Sequence, residues 1–195
     1  MKKVLLLLAD GFETLEASAF IDVIGWNKVE GDGTIQLFSC GLRREVKSSF
    51  NQRVVVDYLI EDINTEIFDA LAIPGGFEEY GFYKDAYSDE FLKLIRMFNA
   101  QSKIIASVCV GALPIARSGI LINRRATTYN KNAVRIEELA SYEVNVIEEP
   151  IVMDCNVITS WDPSTAPDVA FLLLERLTTK MQSDYIREIM GYKMK

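Results

Sequence analysis

The chain has 195 residues, of which 49% are hydrophobic and 25% are charged, and its formal net charge is −7. This length and composition are typical of a globular protein with one core, so we expect a single domain over residues 1–195. The acidic balance argues against nucleic acid or an anionic membrane surface as a partner, because phosphate groups would be repelled.

The N-terminal segment contains an apolar run over residues 4–9 that ends at Asp10. This run is too short for the hydrophobic region of a signal peptide or for a membrane span, so we interpret it as a buried β-strand. Without an export signal we expect a cytoplasmic location, in which Cys40, Cys109 and Cys155 stay reduced. The spacing of these cysteines matches no metal-binding motif.

Short apolar runs alternate with longer segments of helical periodicity, which is typical of βα units around a mainly parallel sheet. No repeat or Pro/Ser-rich linker divides the chain. Strands are predicted over residues 4–8, 34–39, 69–73, 103–108, 144–147, 151–153 and 157–159, with a further extended piece over 53–60.

Helices are predicted between these strands from apolar periodicity and from end signals. The first helix begins at about residue 14, and its buried face is predicted to comprise Ala17, Phe20, Ile21 and Ile24. The remaining helices are predicted after the N-cap Ser88 with the buried stripe Phe91, Leu94, Ile95 and Phe98, after Cys109 up to Gly119, around Pro167, and over residues 183–190.

The segment Ser107-Val108-Cys109-Val110-Gly111 places a cysteine between a predicted strand and a predicted helix. A nucleophile on such a turn needs small neighbours two residues away on either side, and Ser107 and Gly111 supply them. The helix dipole and backbone N–H groups there would favour the thiolate over the thiol. The alternative is a small buried residue without chemistry, and this segment alone does not separate the two.

Two other loops follow predicted strands at the same edge of the sheet. Pro74-Gly75-Gly76 ends the strand over residues 69–73, where glycines allow close backbone approach to a ligand or leave an ordinary tight turn. Residues 10–16 follow the first strand and carry Glu13 and Glu16. Acidic residues in a first helical turn commonly act as partners of the helix dipole, and this is the favoured interpretation of Glu13.

Residues 8–16, 73–76, 106–112 and 159–166 together resemble four segments of the ThiJ/PfpI superfamily, in order, and the resemblance extends from Met1 to about Leu177. That superfamily includes the Parkinson-disease-associated deglycase, thiol chaperones, glyoxalases, isonitrile hydratases and proteins once described as intracellular proteases. The resemblance implies a flavodoxin-like three-layer α/β sandwich, of the class I glutamine amidotransferase-like kind, with a nucleophile-elbow cysteine and a homodimeric assembly.

The resemblance also implies roles for individual residues. The family cysteine falls on Cys109 and the family's buried glutamate on Glu16, while the amides of Gly76 and Val110 would form an oxyanion pocket. Gly75, in the same glycine turn, is a further pocket candidate. We hypothesise that Glu16 is buried, mostly protonated, and donates a hydrogen bond to the Cys109 sulfur.

Tyr129 stands where the family pattern has a histidine, after Thr127 and Thr128. The chain contains no histidine, so a Cys–His or Ser–His pair is impossible and protease or amidase chemistry is disfavoured. Tyrosine donates a hydrogen bond but is a poor base at neutral pH. Trp161 and Asp162 lie in a loop that, by resemblance, borders the cysteine pocket, where their side chains would select the substrate; the alternative is a loop with a purely structural role.

The expected function is a thiol enzyme for small reactive carbonyls or similar electrophiles, with no metal or organic cofactor. Cys109 would attack as the nucleophile and Glu16 would carry the proton. Two alternatives stay open: a non-catalytic oxidative-stress sensor or chaperone whose Cys109 is oxidised, and a ligand-binding protein with an inert cysteine. The expected partners are a small-molecule electrophile and a second copy of the chain.

Overall fold

The computed structural model describes residues 1–193 of the protein. Its strands, in chain order, are β1 (Lys2–Leu7), β2 (Ile35–Gly41), β3 (Glu45–Lys47), β4 (Arg53–Val55), β5 (Tyr58–Leu59), β6 (Ala70–Ile73), β7 (Ile104–Ser107), β8 (Arg125–Ala126), β9 (Asn145–Val146), β10 (Ile151–Asp154) and β11 (Val157–Ser160). Its α-helices are α1 (Thr14–Glu30), α2 (Phe82–Ala86), α3 (Asp89–Ala100), α4 (Ala112–Arg117), α5 (Ala133–Ser141), α6 (Ala166–Leu177) and α7 (Lys180–Ile189).

Seven strands form the central sheet, in the order β10-β11-β7-β6-β1-β2-β5. Every neighbouring pair is parallel except β10 and β11. The pairing of β1, β6 and β7 aligns Leu5 with Leu71 and Leu71 with Ile105. As a result, the carboxyl ends of these three central strands lie side by side, where ligands bind in open α/β sheets.

Helices cover both faces of the sheet because β1 is apolar on both sides. Leu5 and Leu7 pack into one core, with side chains of α2 to α5. Val4 and Leu6 pack into the other core, with side chains of α1, α6 and α7. The predicted three-layer α/β arrangement with a mostly parallel sheet is therefore confirmed. Over residues 1–193, no helix combines the length and apolar composition needed to cross a membrane.

Several local predictions are confirmed and one is wrong. Ser88 caps α3 by accepting the Phe91 N–H at 3.3 Å, and the predicted stripe of this helix is buried. Gly119 follows α4 in a left-handed conformation, with φ +89°. Ile21 does not belong to the buried face of α1, since it is 46% exposed. The buried positions of that helix instead are Glu16, Ala17, Phe20, Val23, Ile24 and Asn27.

The extended piece predicted over residues 53–60 divides into two strands with different partners. β4 pairs antiparallel with β3 in a separate hairpin, whereas β5 joins the edge of the central sheet. The sequence did not predict α2 and α5, which both prove to border the candidate site.

Candidate active site

Cys109 lies on a sharp turn between β7 and α4, two residues beyond the strand. Its φ of +55° is in the left-handed region, which non-glycine residues adopt at a cost of about 1–2 kcal/mol. The turn also needs Gly111, because a Cβ there would lie 2.7 Å from the Ile73 carbonyl oxygen. Ser107, on the other side, is fully buried against β11, where its hydroxyl donates to the Ile158 carbonyl at 3.3 Å.

Glu16 extends from the first turn of α1 and is completely buried. The Gly75 N–H donates to its Oε2 at 2.6 Å. A Cβ on Gly75 would lie 3.0 Å from that oxygen and 3.1 Å from the Cys109 Cβ. The Glu16 and Cys109 side chains therefore both approach Gly75 closely, on the side where another residue would carry its side chain. The carboxyl and the cysteine, far apart in the chain, therefore meet at the carboxyl edge of the sheet.

Burial determines the protonation of this carboxyl. It raises the pKa of Glu16 to about 8, while the Gly75 N–H acts in the opposite direction and the Glu13 charge adds to the increase. Glu16 is therefore mostly protonated at pH 7. Its second oxygen, Oε1, is buried and has no hydrogen-bond partner of conventional geometry within residues 1–193, but the carboxyl interacts with the Cys109 thiol, and this interaction lowers the pKa of Glu16.

The thiol of Cys109 is subject to the same desolvation. Burial and the charge of an ionised Glu16 raise the pKa of Cys109 well above its usual range, and the Val110 N–H opposes them. The expectation that the helix end would favour the thiolate is thus outweighed by burial. A protonated Glu16 removes the repulsion, because its charge is absent below its own pKa.

The Cys109 cavity has a volume of about 290 Å³. Among the residues proposed from the sequence, its lining includes Glu16, Gly76, Cys109, Val110 and Tyr129. A polar segment holds Tyr129 in place: the Thr128 hydroxyl donates to the Cys109 carbonyl at 3.1 Å, and the Thr127 N–H donates to Thr159 Oγ1 at 2.9 Å.

The loop after β11 contributes differently from the expectation. Trp161 does not line the Cys109 cavity but a neighbouring one of about 320 Å³, because the segment over residues 127–130 lies between the two. Asp162 caps the following turn by accepting the Ser164 N–H at 3.1 Å. Its charge contributes to the raised pKa of Cys109 and Glu16, while Pro163 reaches the cavity wall.

Sequence reasoning missed a wall made by α2 and α5. Tyr83 and Arg135 line the cavity, and the guanidinium lies 4.5 Å from the centre of the tyrosine ring. Arg135 also pairs with Glu138 at 3.0 Å and with Glu78. The signals for α5 that the sequence offered were Asn132, which accepts the Val134 N–H as the N-cap, and the helical spacing of Ile136, Leu139 and Ala140.

The other two cysteines lie away from this cavity. Cys40 is fully buried in β2, and desolvation raises the pKa of its thiol. Cys155 is exposed in the turn between β10 and β11, where its Sγ donates to Asp154 Oδ1 at 3.1 Å. Neither of these thiols lies beside Glu16 or lines the cavity that Cys109 lines.

The cysteine elbow lies beside a buried glutamate at the carboxyl edge of a mostly parallel sheet. This arrangement defines a class of α/β proteins that carry a cysteine on a nucleophile elbow at the strand ends, where open α/β sheets bind their ligands. Residues 2–176 match the model of the DJ-1/PfpI family. The chain belongs to the DJ-1/PfpI family, which confirms the resemblance seen in the sequence.

Curated relatives agree with this assignment. Protein DJ-1 homolog A of Arabidopsis thaliana is 28% identical over 190 residues, which are 97% of this chain and 46% of the relative. DJ-1 homolog B of the same plant is also 28% identical, over 92% of this chain and 39% of its own length. The chain thus spans less than half of these two proteins. A deglycase of Pyrococcus abyssi is 27% identical over 83% of this chain and 90% of its own.

Solved structures show the same fold. Drosophila melanogaster DJ-1beta superposes with a TM-score of 0.86 at 23% identity, covering 99% of both chains. Oxidized Toxoplasma gondii DJ-1 superposes with a TM-score of 0.82 at 24% identity, covering 100% of both chains. At this identity the likeness establishes the architecture, and chemistry has to be argued from the residues of this chain.

Proposed function

We propose that the protein is a cofactor-free thiol enzyme that acts on small reactive carbonyls, with Cys109 as nucleophile and Glu16 as proton carrier. The observation that supports this most strongly is the completely buried Glu16, with a pKa of about 8, beside a cysteine that lines a cavity. The relative described as a deglycase is consistent with this proposal.

For a 2-oxoaldehyde such as methylglyoxal, the Cys109 sulfur bonds to the aldehyde carbon and the thiol proton moves to the carbonyl oxygen, giving a hemithioacetal. The minor fraction of Glu16 that is ionised at neutral pH then removes the proton of that carbon and returns it to the neighbouring carbon, while the hydroxyl proton of the adduct moves to the oxygen of that neighbouring carbon, which converts the adduct into a thioester. Water cleaves the thioester, which releases a 2-hydroxy acid and restores the thiol. The amides of Gly76 and Val110 hold the developing oxyanion.

The test compares two variants of Glu16 with Cys109→Ser. Glu16→Gln keeps a hydrogen-bond donor, so iodoacetamide alkylation of Cys109 is largely preserved, but methylglyoxal turnover is lost because an amide carries no proton between carbons. Glu16→Leu weakens both, and Cys109→Ser abolishes turnover. Turnover that survives Cys109→Ser, or identical alkylation–pH profiles in wild type and Glu16→Leu, contradicts the proposal.

An oxidative-stress sensor is the second candidate, and the buried Glu16 Oε1 favours it, since no residue among 1–193 other than Cys109 is there to bond with it. A protonated carboxyl at this position has a hydrogen bond to offer to a sulfinate oxygen. Two equivalents of peroxide would convert the Cys109 thiol to the sulfinic acid and release two waters. Intact-mass measurement after peroxide treatment should then show two added oxygens, confined to Cys109, without methylglyoxal turnover. Neither gain nor turnover would indicate a ligand-binding protein with an inert cysteine.

We also propose a cytoplasmic homodimer. The three free cysteines support a reducing compartment. The exposed apolar residues Ile21, Trp26 and Val29 of α1 form a surface suited to contact a second copy. Sedimentation of the wild type and of Val29→Glu tests the assembly: a dimer should become a monomer in the variant, and a monomeric wild type refutes it.

A further inference from the structure

A second cavity lies beside the Cys109 cavity, on the other side of the segment that carries Tyr129. Its volume is about 320 Å³, which is within the range of small-molecule sites. Tyr129 lines the Cys109 cavity, whereas its neighbours Thr128 and Asn130 line the second one. No step proposed for Cys109 uses this second cavity, so a ligand bound there would be a separate one.

Backbone hydrogen bonds fix the walls of the second cavity. Strands β8 and β9 pair in parallel, and the Ile147 N–H extends the pairing by donating to the Ala126 carbonyl at 2.8 Å. The Trp161 N–H donates to the Pro150 carbonyl at 3.1 Å, which ties the loop after β11 to the segment that follows β9. A cavity whose walls are already ordered needs little reorganisation to bind a ligand.

Hydrophobic side chains form half of the lining of this cavity. They are all half-buried, and they are Ile136, Val146, Ile147 and Trp161. Their remaining contact with water would be lost on binding a ligand with an apolar body, which is favourable. Trp161 also contributes an indole, the aromatic group that attracts a cation most strongly.

The charge of the lining is negative. Among the lining residues, Glu148 alone is charged. This glutamate is exposed at the rim and has no ion pair within residues 1–193, so its carboxylate is available to a cation from solution. The neighbouring Glu149 and the net charge of −7 for the whole chain act in the same direction.

A buried polar atom in the wall also lacks a partner. The carboxamide oxygen of Asn130 is covered and accepts no hydrogen bond within residues 1–193. An unpaired buried acceptor is costly, and rotation of the carboxamide towards the cavity would let it accept an N–H from a ligand. A primary ammonium group carries three N–H donors, so it can bond to more than one acceptor.

We propose that the cavity beside Trp161 is a second ligand site, which takes a small organic cation with its ammonium group paired to Glu148 and its apolar body against Trp161. The site is separate from the chemistry proposed for Cys109 and does not depend on it. The ligand class that fits this lining is a primary amine on a compact aromatic or branched aliphatic group.

Three probes of similar size and different charge test the proposal: benzylamine, benzyl alcohol and benzoate. The readout is the fluorescence of Trp161, isolated by Trp26→Phe, which removes the other tryptophan. Benzylamine should change the emission in a saturable way, with a Kd of about 1 mM or below. Benzyl alcohol should bind about tenfold more weakly, and benzoate should give no saturable change.

Variants of the lining locate the cation and the apolar body. Glu148→Gln should weaken benzylamine about tenfold and change benzyl alcohol by less than about twofold. Glu149→Gln is the matched control, because it removes the same charge from an adjacent exposed residue outside the lining, and it should weaken benzylamine by less than about twofold. Ile136→Ala should weaken benzylamine and benzyl alcohol alike, by about threefold.

A further variant separates the two cavities, since the Cys109 cavity also has acidic residues in its lining. Glu78→Gln combined with Glu79→Gln removes two of those charges and should change benzylamine binding by less than about twofold. A loss as large as that of Glu148→Gln would place the amine in the Cys109 cavity and overturn the proposal.

Three other outcomes also overturn it: no saturable change with benzylamine, equal affinity for benzylamine and benzyl alcohol, or equal effects of Glu148→Gln and Glu149→Gln. None of these measurements requires methylglyoxal turnover. Failure of the proposed function would therefore leave the test of this second site intact, and the two failures are distinguishable.

Discussion

At the scale of single residues, two glycines determine how closely the loops of the site approach each other. A Cβ on Gly76 would lie 2.2 Å from the Gly11 carbonyl oxygen and 2.4 Å from the Phe82 ring. A Cβ on Gly111 would meet the Ile73 carbonyl at 2.7 Å. Since these contacts are mainly with backbone atoms, a side chain at either position has to move the loop.

We therefore predict that Gly76→Ala destabilises the protein by about 3 kcal/mol or more, because overpacking against backbone cannot be relieved by a rotamer change. Urea denaturation measures the loss. Gly25→Ala is the matched control: nothing lies within 4 Å of its added Cβ, and it sits within α1. That change should stabilise by roughly 0.5–1 kcal/mol. A Gly76→Ala variant as stable as wild type would show that the loop is pliable.

The buried carboxyl of Glu16 predicts a pH-dependent stability. Below pH 4.5, the ordinary pKa, the group is protonated in both the folded and the unfolded chain. As the pH rises from 4.5 to about 8, the unfolded chain ionises while the folded chain keeps its proton, so the free energy of unfolding decreases. Glu16→Gln cannot ionise and escapes this loss.

The stability difference between Glu16→Gln and wild type should therefore grow with pH by up to about 1.4 kcal/mol per unit, reaching roughly 4 kcal/mol near pH 8. Denaturation curves at pH 4.5, 6 and 8 measure it, and the lowest pH serves as the baseline. A difference that stays constant across this range would mean that Glu16 is ionised in the folded protein.

At the scale of secondary-structure elements, one ion-pair cluster connects three segments beneath the site. Asp85 of α2 is 3% exposed and binds Arg43, which follows β2, through contacts of 2.6 and 2.9 Å. Asp10, after β1, donates its N–H to Asp85 at 2.9 Å and pairs with Arg43 at 2.7 Å. The loop that leads into Glu13 and Glu16 is thereby tied to α2.

Asp85→Ala should cost about 2–3 kcal/mol, because it leaves a partly buried guanidinium and a backbone N–H without their acceptor. Asp85→Asn keeps one acceptor oxygen and should cost less. The exposed pair between Glu45 and Arg53 provides the contrast, since both side chains are more than half exposed. Glu45→Ala should change the free energy of unfolding by less than about 1 kcal/mol. Similar losses for both alanine variants would argue against a special role for the cluster.

At the scale of the whole molecule, the sequence predicted the parts of the site whose position follows from where the central strands end. Because β1, β6 and β7 are short apolar runs, their ends could be read directly, and parallel packing then placed the loops that follow them at one edge of the sheet. The assignment of Glu16 and Gly75 to the Cys109 site came from the family resemblance. Tyr83 was missed because α2 is only five residues long, and Arg135 because α5 reaches the cavity only through tertiary packing. The loop that contains Trp161 does border the Cys109 cavity through Pro163, but the Trp161 side chain lines the neighbouring cavity, where its neighbours come from residues 127–148.

The first helix, α1, and the last helix, α7, contact each other through another buried polar residue. Asn27 near the end of α1 is fully buried, donates to Asp32 at 3.0 Å and accepts from Gln182 of α7 at 2.8 Å. Helix α7 is also held by the Ser183 hydroxyl, which donates to the Phe171 carbonyl at 2.7 Å. These polar contacts with α1 and α6 add to the packing of Ile186 into the core and to the ion pair of Arg187 with Asp168 at 2.7 Å.

Asn27→Ala should cost about 2 kcal/mol and loosen α7 more than the rest of the fold, since it removes hydrogen bonds at both Asp32 and Gln182. Hydrogen exchange of the amides in α7, compared with those in α3, measures the local effect. Gln182→Ala removes only the contact between the helices and should give a smaller change in the same direction. Equal acceleration of exchange in α3 and α7 would mean that α7 opens only with the whole domain. Asn27 would then stabilise the core as a whole rather than the contact between α1 and α7.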